Sequence, residues 1–454
     1  MLANSFALHY APDLNISFHN DQIVLIGHAW QANPECPSPI EELTALSEKE
    51  QVTHEDLFAI EKNWCGRYLL IADGWIYLDA CGLINIFYSK DTIASSLGVL
   101  STVENREVIL PPIEHRKSPD FVPGMMTLYE GVRRLMPSQL LNITTGTTQL
   151  RPLLIDPIPS FASDEEGIST LSTYFIHSVR NLAKAFAGYD IWVASTSGRD
   201  SRTSIALMHK AGIKFSTFTL WHQHISHADS ILPRRIAKAL HLNYRFVKRR
   251  QTQFSQQRYD DYRAHTAGMA VDEDWRFYAY NQYPALCQGR RPIVILRSGI
   301  WGIANEYYTR KFGEKGKNLS FIYPGILQTD WLRHSAEEWE AMVKADPLNT
   351  QIGWIDRIYW ELREGCWLAS IEQSFDVMDG ITSFQLFNSR LLIGTLLRFS
   401  LQDRLSKSEE NKIALSTCPV LSTVPYDYQY DAFLSQRIRR KLIRWGQKIW
   451  NKLH

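Results

Sequence analysis

The sequence has no C-x-x-C pair. Its six cysteines, Cys36, Cys65, Cys81, Cys287, Cys366 and Cys418, are scattered, which excludes the disulfide framework of a small secreted domain. They read as reduced, mostly buried thiols of a cytoplasmic protein. An excess of either charge is also missing. Lys and Arg number 49 against 48 Asp and Glu, a net +1, so no global field draws the chain to nucleic acid. No apolar run is as long as a membrane span. Met1-Leu2-Ala3-Asn4 is not a basic segment leading into an apolar one, so no signal peptide is expected.

What is present is an ordinary globular composition, 45% hydrophobic, in a chain of 454 residues, more than one core usually organises. Two domains are expected. Fourteen tryptophans are many and suit either aromatic packing or flat polar ligands. The first third reads as β-rich, with strands at 22–27, 66–72, 75–78, 85–88 and 139–143 and a hairpin turn at Asp73-Gly74. Pro157 and Pro159 mark a linker over 154–162. Beyond it come helix 165–186, strand 190–194, helix 201–211, strand 214–220, helix 230–240 and strand 244–247, the alternation of a parallel α/β sheet. After Asp356 the chain reads as mainly helical.

Between strand 190–194 and the next helix lies Ser195-Thr196-Ser197-Gly198-Arg199-Asp200-Ser201. Small residues let the backbone close around an oxyanion, and the helix N-terminus offers free N–H groups. Thr196, Ser197 and Ser201 add hydroxyls. Asp200 would repel a bare phosphate and makes sense with a Mg²⁺ between them. Without a ligand the same residues make a strand-to-helix turn rich in caps. The segment resembles the Ser-Gly-Gly-x-Asp-Ser loop of the ATP-pyrophosphatase superfamily, whose members cleave ATP between the α and β phosphates and pass AMP to a substrate. Gly198, Asp200 and Ser201 match that loop, while Thr196 replaces its first serine and Ser197 its first glycine. The resemblance puts Thr219 and Leu220, at the end of the next strand, beside the nucleotide. Asp229 followed by Ile236-Ala237 and Leu240-His241-Leu242 resembles the next helix of asparagine synthetases, with His241 where glycine is usual.

The N-terminal third carries the same likeness. Gly66-Arg67-Tyr68-Leu69-Leu70-Ile71, then Tyr77-Leu78-Asp79-Ala80-Cys81-Gly82 and Phe87-Tyr88, resembles the glutaminase domain of class II amidotransferases, and the run from Thr127 to Pro137 resembles its late segment. Those glutaminases use an N-terminal cysteine as nucleophile. Here position 2 is Leu2, so the resemblance implies a domain without glutamine hydrolysis, as in branches that make β-lactams, cyclise lasso peptides or serve surface-polysaccharide pathways.

A second loop, Ser298-Gly299-Ile300-Trp301-Gly302 to Asn305-Glu306, follows the apolar strand 293–296 and stands where asparagine synthetases hold Mg²⁺-pyrophosphate. Glu306 is the candidate acid, with Asp200 as its metal partner, although it could simply open a helix. Lys311, among Arg310, Lys315 and Lys317, is the candidate cation for the leaving group. Asp356, Arg363 and Trp367 lie at helical spacing. The run Phe387-Asn388-Ser389-Arg390 looks like asparagine-synthetase-related proteins of bacterial polysaccharide gene clusters, with Asn388 and Arg390 as substrate ligands. Arg390 or Arg363 could clamp a carboxylate bidentately, or could pair with a helix end. Trp275–Tyr280 and 384–390 are expected to wall the amine pocket, with Glu306, Tyr307 or Tyr308 as base. His222, His224 and His227 fit a loop over the adenine better than zinc. The tail interleaves Ile438, Leu442, Trp445, Ile449 and Trp450 with Arg437, Arg439, Arg440, Lys441 and Arg444, which suits a membrane surface or a helix packed on the domain.

The resemblance thus implies an α/β protein: an Ntn-type α/β/β/α sandwich at 1–157, an adenine-nucleotide α-hydrolase-like parallel α/β domain at 163–433, helical at its end, and a basic tail helix at 434–454. Its expected work is amide ligation with ATP and Mg²⁺, joining a small-molecule or glycan-linked carboxylate to an amine. The biological setting is surface-polysaccharide assembly, with a lasso-cyclase or β-lactam-type synthetase and an inactive nucleotide-binding scaffold as alternatives. A cytoplasmic protein is expected, compatible with peripheral membrane contact and with a homo-oligomer. Glutamate release from glutamine by the purified protein should not exceed a buffer blank; sustained turnover would overturn the reading of Leu2.

Overall fold

The computed structural model describes residues 7–9, 14–106, 121–221, 225–248, 256–266, 282–287, 291–327 and 329–431, with the single positions 438, 441, 442 and 445. The architecture is mixed α/β, as expected. Strands β1 (Ala7–His9), β2 (Ile16–His19), β3 (Ile23–Gln31), β4 (Trp64–Ala72), β5 (Trp75–Leu78), β6 (Phe87–Tyr88), β7 (Thr92–Ala94), β8 (Arg133–Arg134), β9 (Gln139–Asn142) and β10 (Thr148–Leu150) make two sheets. One runs β1-β7-β6-β8, the other β10-β9-β5-β4-β3-β2. The β4–β5 hairpin closes through Asp73 (φ 48°) and Gly74 (φ 75°), two successive left-handed residues, the turn whose twist matches the strands it joins.

Alternation along these strands buries both faces of each sheet. Ile26, Leu69, Ile76 and Leu141 of the larger sheet pack on Tyr88 and Ile93 of the smaller. Helices α1 (Pro39–Leu46) and α2 (His54–Glu61) cover the larger sheet's outer face through Leu43 and Leu57. Both helices start in reciprocal caps, Ser38 with Glu41 and Thr53 with Asp56. Helix α3 (Leu97–Val103) covers the smaller sheet together with Trp331 and Leu332 from the second half.

After helix α4 (Asp164–Ala185) comes a wholly parallel sheet. It contains β11 (Asp190–Ala194), β12 (Ser216–Leu220), β13 (Asn243–Val247), β14 (Ile293–Arg297) and β15 (Ile381–Gln385), in the order β13-β12-β11-β14-β15. Helices α5 (Arg199–Lys210) and α6 (His227–Ala239) follow β11 and β12. Strand β14 is an unbroken buried run over Ile293–Leu296, as a strand covered on both faces requires. The described residues after Asp356 are mainly helical, as expected, with strand β15 the addition. It is a single edge strand among helices, and its β-branched pair Ile381-Thr382 after Asp379-Gly380 was its one local signal. The helix before it also departs from ordinary spacing: Trp354–Arg357 runs into a π-helix over Ile358–Leu368.

The halves are joined by buried polar groups. Arg67 on β4 meets Asp376 through two bonds of 2.5 and 2.9 Å. Asn388 donates to the Gly66 carbonyl (2.6 Å) and to Asp79 (2.9 Å), and accepts from the Cys81 N–H (3.0 Å). Arg390 reaches Glu61 at 3.1 Å and the Leu78 carbonyl at 3.2 Å, and Arg151 pairs with the same Glu61. The expected substrate role of Asn388 and Arg390 is therefore replaced: their donors hold the joint, and the 384–390 stretch is edge strand and joint rather than pocket wall. Among the described residues no helix is long and apolar enough to cross a membrane. Ile438, Leu442 and Trp445 are exposed, and most of the tail lies outside the described residues.

Asp376→Asn should leave Arg67 buried beside a neutral amide and cost about 3–5 kcal/mol in chemical denaturation. A loss below about 1 kcal/mol would mean the pair does not hold the joint.

Candidate functional site at the sheet switch point

Strand β11 is central. The chain leaves it towards β12 and β13 on one side and returns to β14 and β15 on the other. The crevice beyond the carboxyl ends of β11 and β14 is thus where the connections diverge, the place where open parallel sheets bind ligands. Two loops flank it, 195–198 after β11 and 298–306 after β14. They touch through α5: Ser298 Oγ bonds Ser204 Oγ at 2.8 Å, and Ser204 Oγ donates to the Asp200 carbonyl at 3.0 Å.

The first loop is shaped by its own hydroxyls. The Thr196 N–H donates to Ser201 Oγ (3.0 Å), and the Thr196 and Ser201 hydroxyls pair at 2.9 Å. The Gly198 N–H turns back to Thr196 Oγ1 at 3.3 Å, and Gly198 is the N-cap of α5. Ser197 donates both its N–H and its hydroxyl to Asp229 Oδ1, each at 2.7 Å. Asp229 in turn accepts from Ser226 at 2.6 Å at the start of α6. Thr219 donates to the Ser195 carbonyl at 2.7 Å, and Leu220 ends the same strand beside it. The sequence-predicted loop residues are therefore together. Gly299 donates its N–H to Gln385 at 2.9 Å, so that donor faces the sheet.

The charged groups are arranged differently from expectation. Lys311 is exposed and lies over the Tyr307 and Phe312 rings, 5.4 and 4.9 Å from their centroids. The lysine at the loop is Lys407, whose Nζ stands 2.8 Å from Asp200 and 3.1 Å from Glu410. Burial opposes its charge, but Asp200 and Glu410 outweigh burial and raise its pKa above the ordinary lysine value. Burial first, then Asp200, pushes the Glu410 carboxyl well above its ordinary value, against the pull of Lys407. Arg199, the first residue of α5, holds the lysine's turn by donating to the Ser406 (2.8 Å) and Lys407 (3.1 Å) carbonyls. Lys407 itself is left-handed, φ 56°, a strained position for a side chain of that size.

Glu306 is also left-handed, φ 49°, but does not pair with Asp200. Its carboxylate accepts from Thr309 (2.7 Å) and faces Arg404 (3.4 Å), which bonds Asp356 at 2.6 Å. Asn305, bridging Glu410 (3.4 Å) and Arg310 (3.3 Å), connects the two charge groups. Glu306, expected to share a metal with Asp200, thus faces an arginine instead. Among the described residues no group of His, Cys, Asp or Glu forms a metal site. His227 opens α6, while His222, His224 and Trp275–Tyr280 lie outside the described residues.

Lys407, Arg404 and Glu410 escaped the sequence reading because 401–412 looks like one solvated amphipathic stretch. The usable sign was the Ser400-x-x-Asp403 cap followed by a second serine. Ser400 and Ser408 both bond Asp403, breaking the helix and leaving Lys407 at the corner.

No family model matches this chain, and no curated protein matches it. Among solved structures the chain is similar to the NMN synthetase from Francisella tularensis, with 14% identity and a TM-score of 0.23 over 47% of this chain and 92% of that one. The chemistry of the site itself therefore carries the functional reading.

Burial raises two carboxyls around the site: Asp356 is pushed up to about 7, against the pull of Arg404, and Glu364, on the π-helix, to about 8. Both exceed the unfolded carboxyl value of about 4. Stability from a carboxyl raised on folding is present at low pH and is lost as pH climbs from the unfolded value through the folded one. The melting temperature should fall between pH 5.5 and 8.5, and Glu364→Gln should flatten that fall. A melting temperature that rises over this range would show that the two groups are ionised.

Proposed function

We propose that this chain is an ATP-dependent carbon–nitrogen ligase, which adenylates a carboxylate and transfers the acyl group to an amine. The observation that carries this is the hydroxyl-rich loop at the switch point of a parallel sheet, with Asp200 and Lys407 paired at its mouth. The residues fit Mg²⁺·ATP. Mg²⁺ takes one or two carboxylates, keeps waters and shares phosphate oxygens, and Asp200, paired with Lys407, is 38% exposed at the loop. Bound there, the ion would neutralise phosphate charge.

In the first step a substrate carboxylate oxygen attacks the α-phosphorus, the bond to the β-phosphate oxygen breaks, and pyrophosphate leaves. Lys407 is the cation available for charge gathering on that leaving group. In the second step the amine nitrogen attacks the acyl carbon, AMP leaves with the ester oxygen, and the amine gives up a proton. Positioning supplies much of the acceleration. Glutamine is not the proposed nitrogen source: Cys65 and Cys81 are buried, and burial pushes the Cys65 thiol up to about 11, unsuited to a nucleophile.

The likeness of the Phe387–Arg390 run favours amidation of an acidic sugar, or of its amino-acid decoration, in surface-polysaccharide assembly; a peptide-cyclising or β-lactam-type synthetase is the alternative. A second reading has its own support. Asp229 already occupies Ser197, and Lys407 occupies Asp200, so a nucleotide-binding scaffold without chemistry also fits the loop.

ATP–pyrophosphate exchange against a panel of uronic acids, amino acids and peptides separates these. Exchange should occur with at least one carboxylate. Asp200→Asn and Lys407→Ala should each slow it by about 100-fold or more with the circular dichroism unchanged. Variants within threefold of the wild type would remove this loop from the chemistry, and ATP binding without exchange would favour the scaffold.

A further inference from the structure

Beyond the phosphate loops, the π-helix Ile358–Leu368 presents side chains that the steps above do not use. An i→i+5 turn inside a helix is costly and recurs at functional sites. Tyr359 faces the switch-point loops. A Cβ at Gly302 would fall inside the Tyr359 hydroxyl, so Gly302 is what lets the ring approach. The ring packs with Tyr307 (5.7 Å) and Tyr308 (5.5 Å) to form an aromatic wall, of which Tyr307 is exposed and Tyr359 half-buried. One turn along the same helix stands Arg363, its guanidinium 3.3 Å above the centre of the Trp367 ring.

Arg363 differs from the other arginines of this region. Arg67 has Asp376, Arg357 has Asp346 and Glu361, and Arg404 has Asp356. Arg363 is half-buried; Tyr359, Tyr308, Tyr323 and Glu364 favour its charge from nearby, yet none of the described residues offers it a hydrogen-bonded carboxylate, carbonyl or hydroxyl. The next residue, Glu364, does not supply one: burial keeps its carboxyl protonated near neutral pH, and one of its oxygens has no hydrogen-bond partner. The indole face orients the guanidinium, and among the described residues its N–H edge has no hydrogen-bond partner, the geometry that takes a planar anion through two parallel bonds.

We infer that Arg363 anchors a carboxylate on the amine-bearing substrate, which makes that substrate an amino acid or a molecule that ends in one. The inference rests on the proposed amide-forming reaction and names its second substrate. The nucleotide's phosphates have the loop and Lys407, and the reacting carboxylate must lie at the α-phosphorus. An arginine one helical turn beyond Tyr359, roughly 5–6 Å along the axis, is placed for a charge that does not react. This assignment exchanges the two arginines of the sequence reading, since Arg390 holds the joint and Arg363 is available.

The test is calorimetric binding of the twenty L-amino acids, and of the methyl esters of those that bind, to the full chain with Mg²⁺ and a non-hydrolysable ATP analogue. At least one amino acid should bind about tenfold or more tighter than its ester. Arg363→Gln should bring acid and ester to equal affinity. Arg363→Lys, which keeps the charge but not the fork, should lose most of the preference and guards against a variant that fails to fold. Equal binding of acid and ester by the wild type, an undiminished preference in both variants, or no amino-acid binding at all would overturn the inference. Pyrophosphate exchange by the wild-type protein is read separately, so exchange without amino-acid binding fails this inference alone, and absence of exchange fails the proposed reaction.

Discussion

The structure depends on charges buried in pairs at the seam between its halves. Glu61 at the end of α2 is fully buried and faces two arginines, Arg151 from the end of the first half and Arg390 from the second. Neither arginine could be buried without it, since an unpaired guanidinium in such a place costs several kcal/mol. Asp79 plays the same part for the backbone: it accepts from the Tyr68, Cys81 and Leu83 N–H groups and from Asn388. The loop after β5 is thereby shaped by a residue of the other half. The two domains of the sequence are thus one polar network, and the parallel sheet is held in place by groups on the antiparallel one.

The same economy of charge governs the switch-point crevice. Lys407 is balanced by Asp200 and Glu410, and Arg404 by Asp356 and Glu306. The site therefore holds its polar groups in place by having them bind one another. A ligand that enters exchanges partners with groups already oriented, rather than ordering loose side chains, which lowers the entropic cost of binding.

The legible parts of the sequence were those where local rules and tertiary context agree. Strand β11, the cap-rich loop and α5 were readable because a buried β-branched run, small hydroxyl residues and a helical period follow one another without interruption. The hairpin at Asp73-Gly74 was readable from its turn chemistry alone. Strand β15 was not, because five residues among helices offer too short a period. Asn388 and Arg390 were misassigned for a related reason: a polar run near the end of a chain carries no sign of whether its partner is a ligand or another part of the protein. Lys407 and Arg363 were missed or undervalued because what distinguishes them is spatial, a left-handed corner in one case and, in the other, a guanidinium stacked on an indole with no hydrogen-bond partner among the described residues.

The approach of Tyr359 to Gly302 has a consequence for how such a chain can change over generations. A side chain at 302 would have to displace the tyrosine ring, although a smaller residue at 359 would leave room for one. The two positions are therefore coupled: a residue larger than glycine at 302 moves the ring off its place, and a smaller residue at 359 relaxes the demand for glycine. The shape of the wall beside the crevice is in that sense set by the pair rather than by either residue.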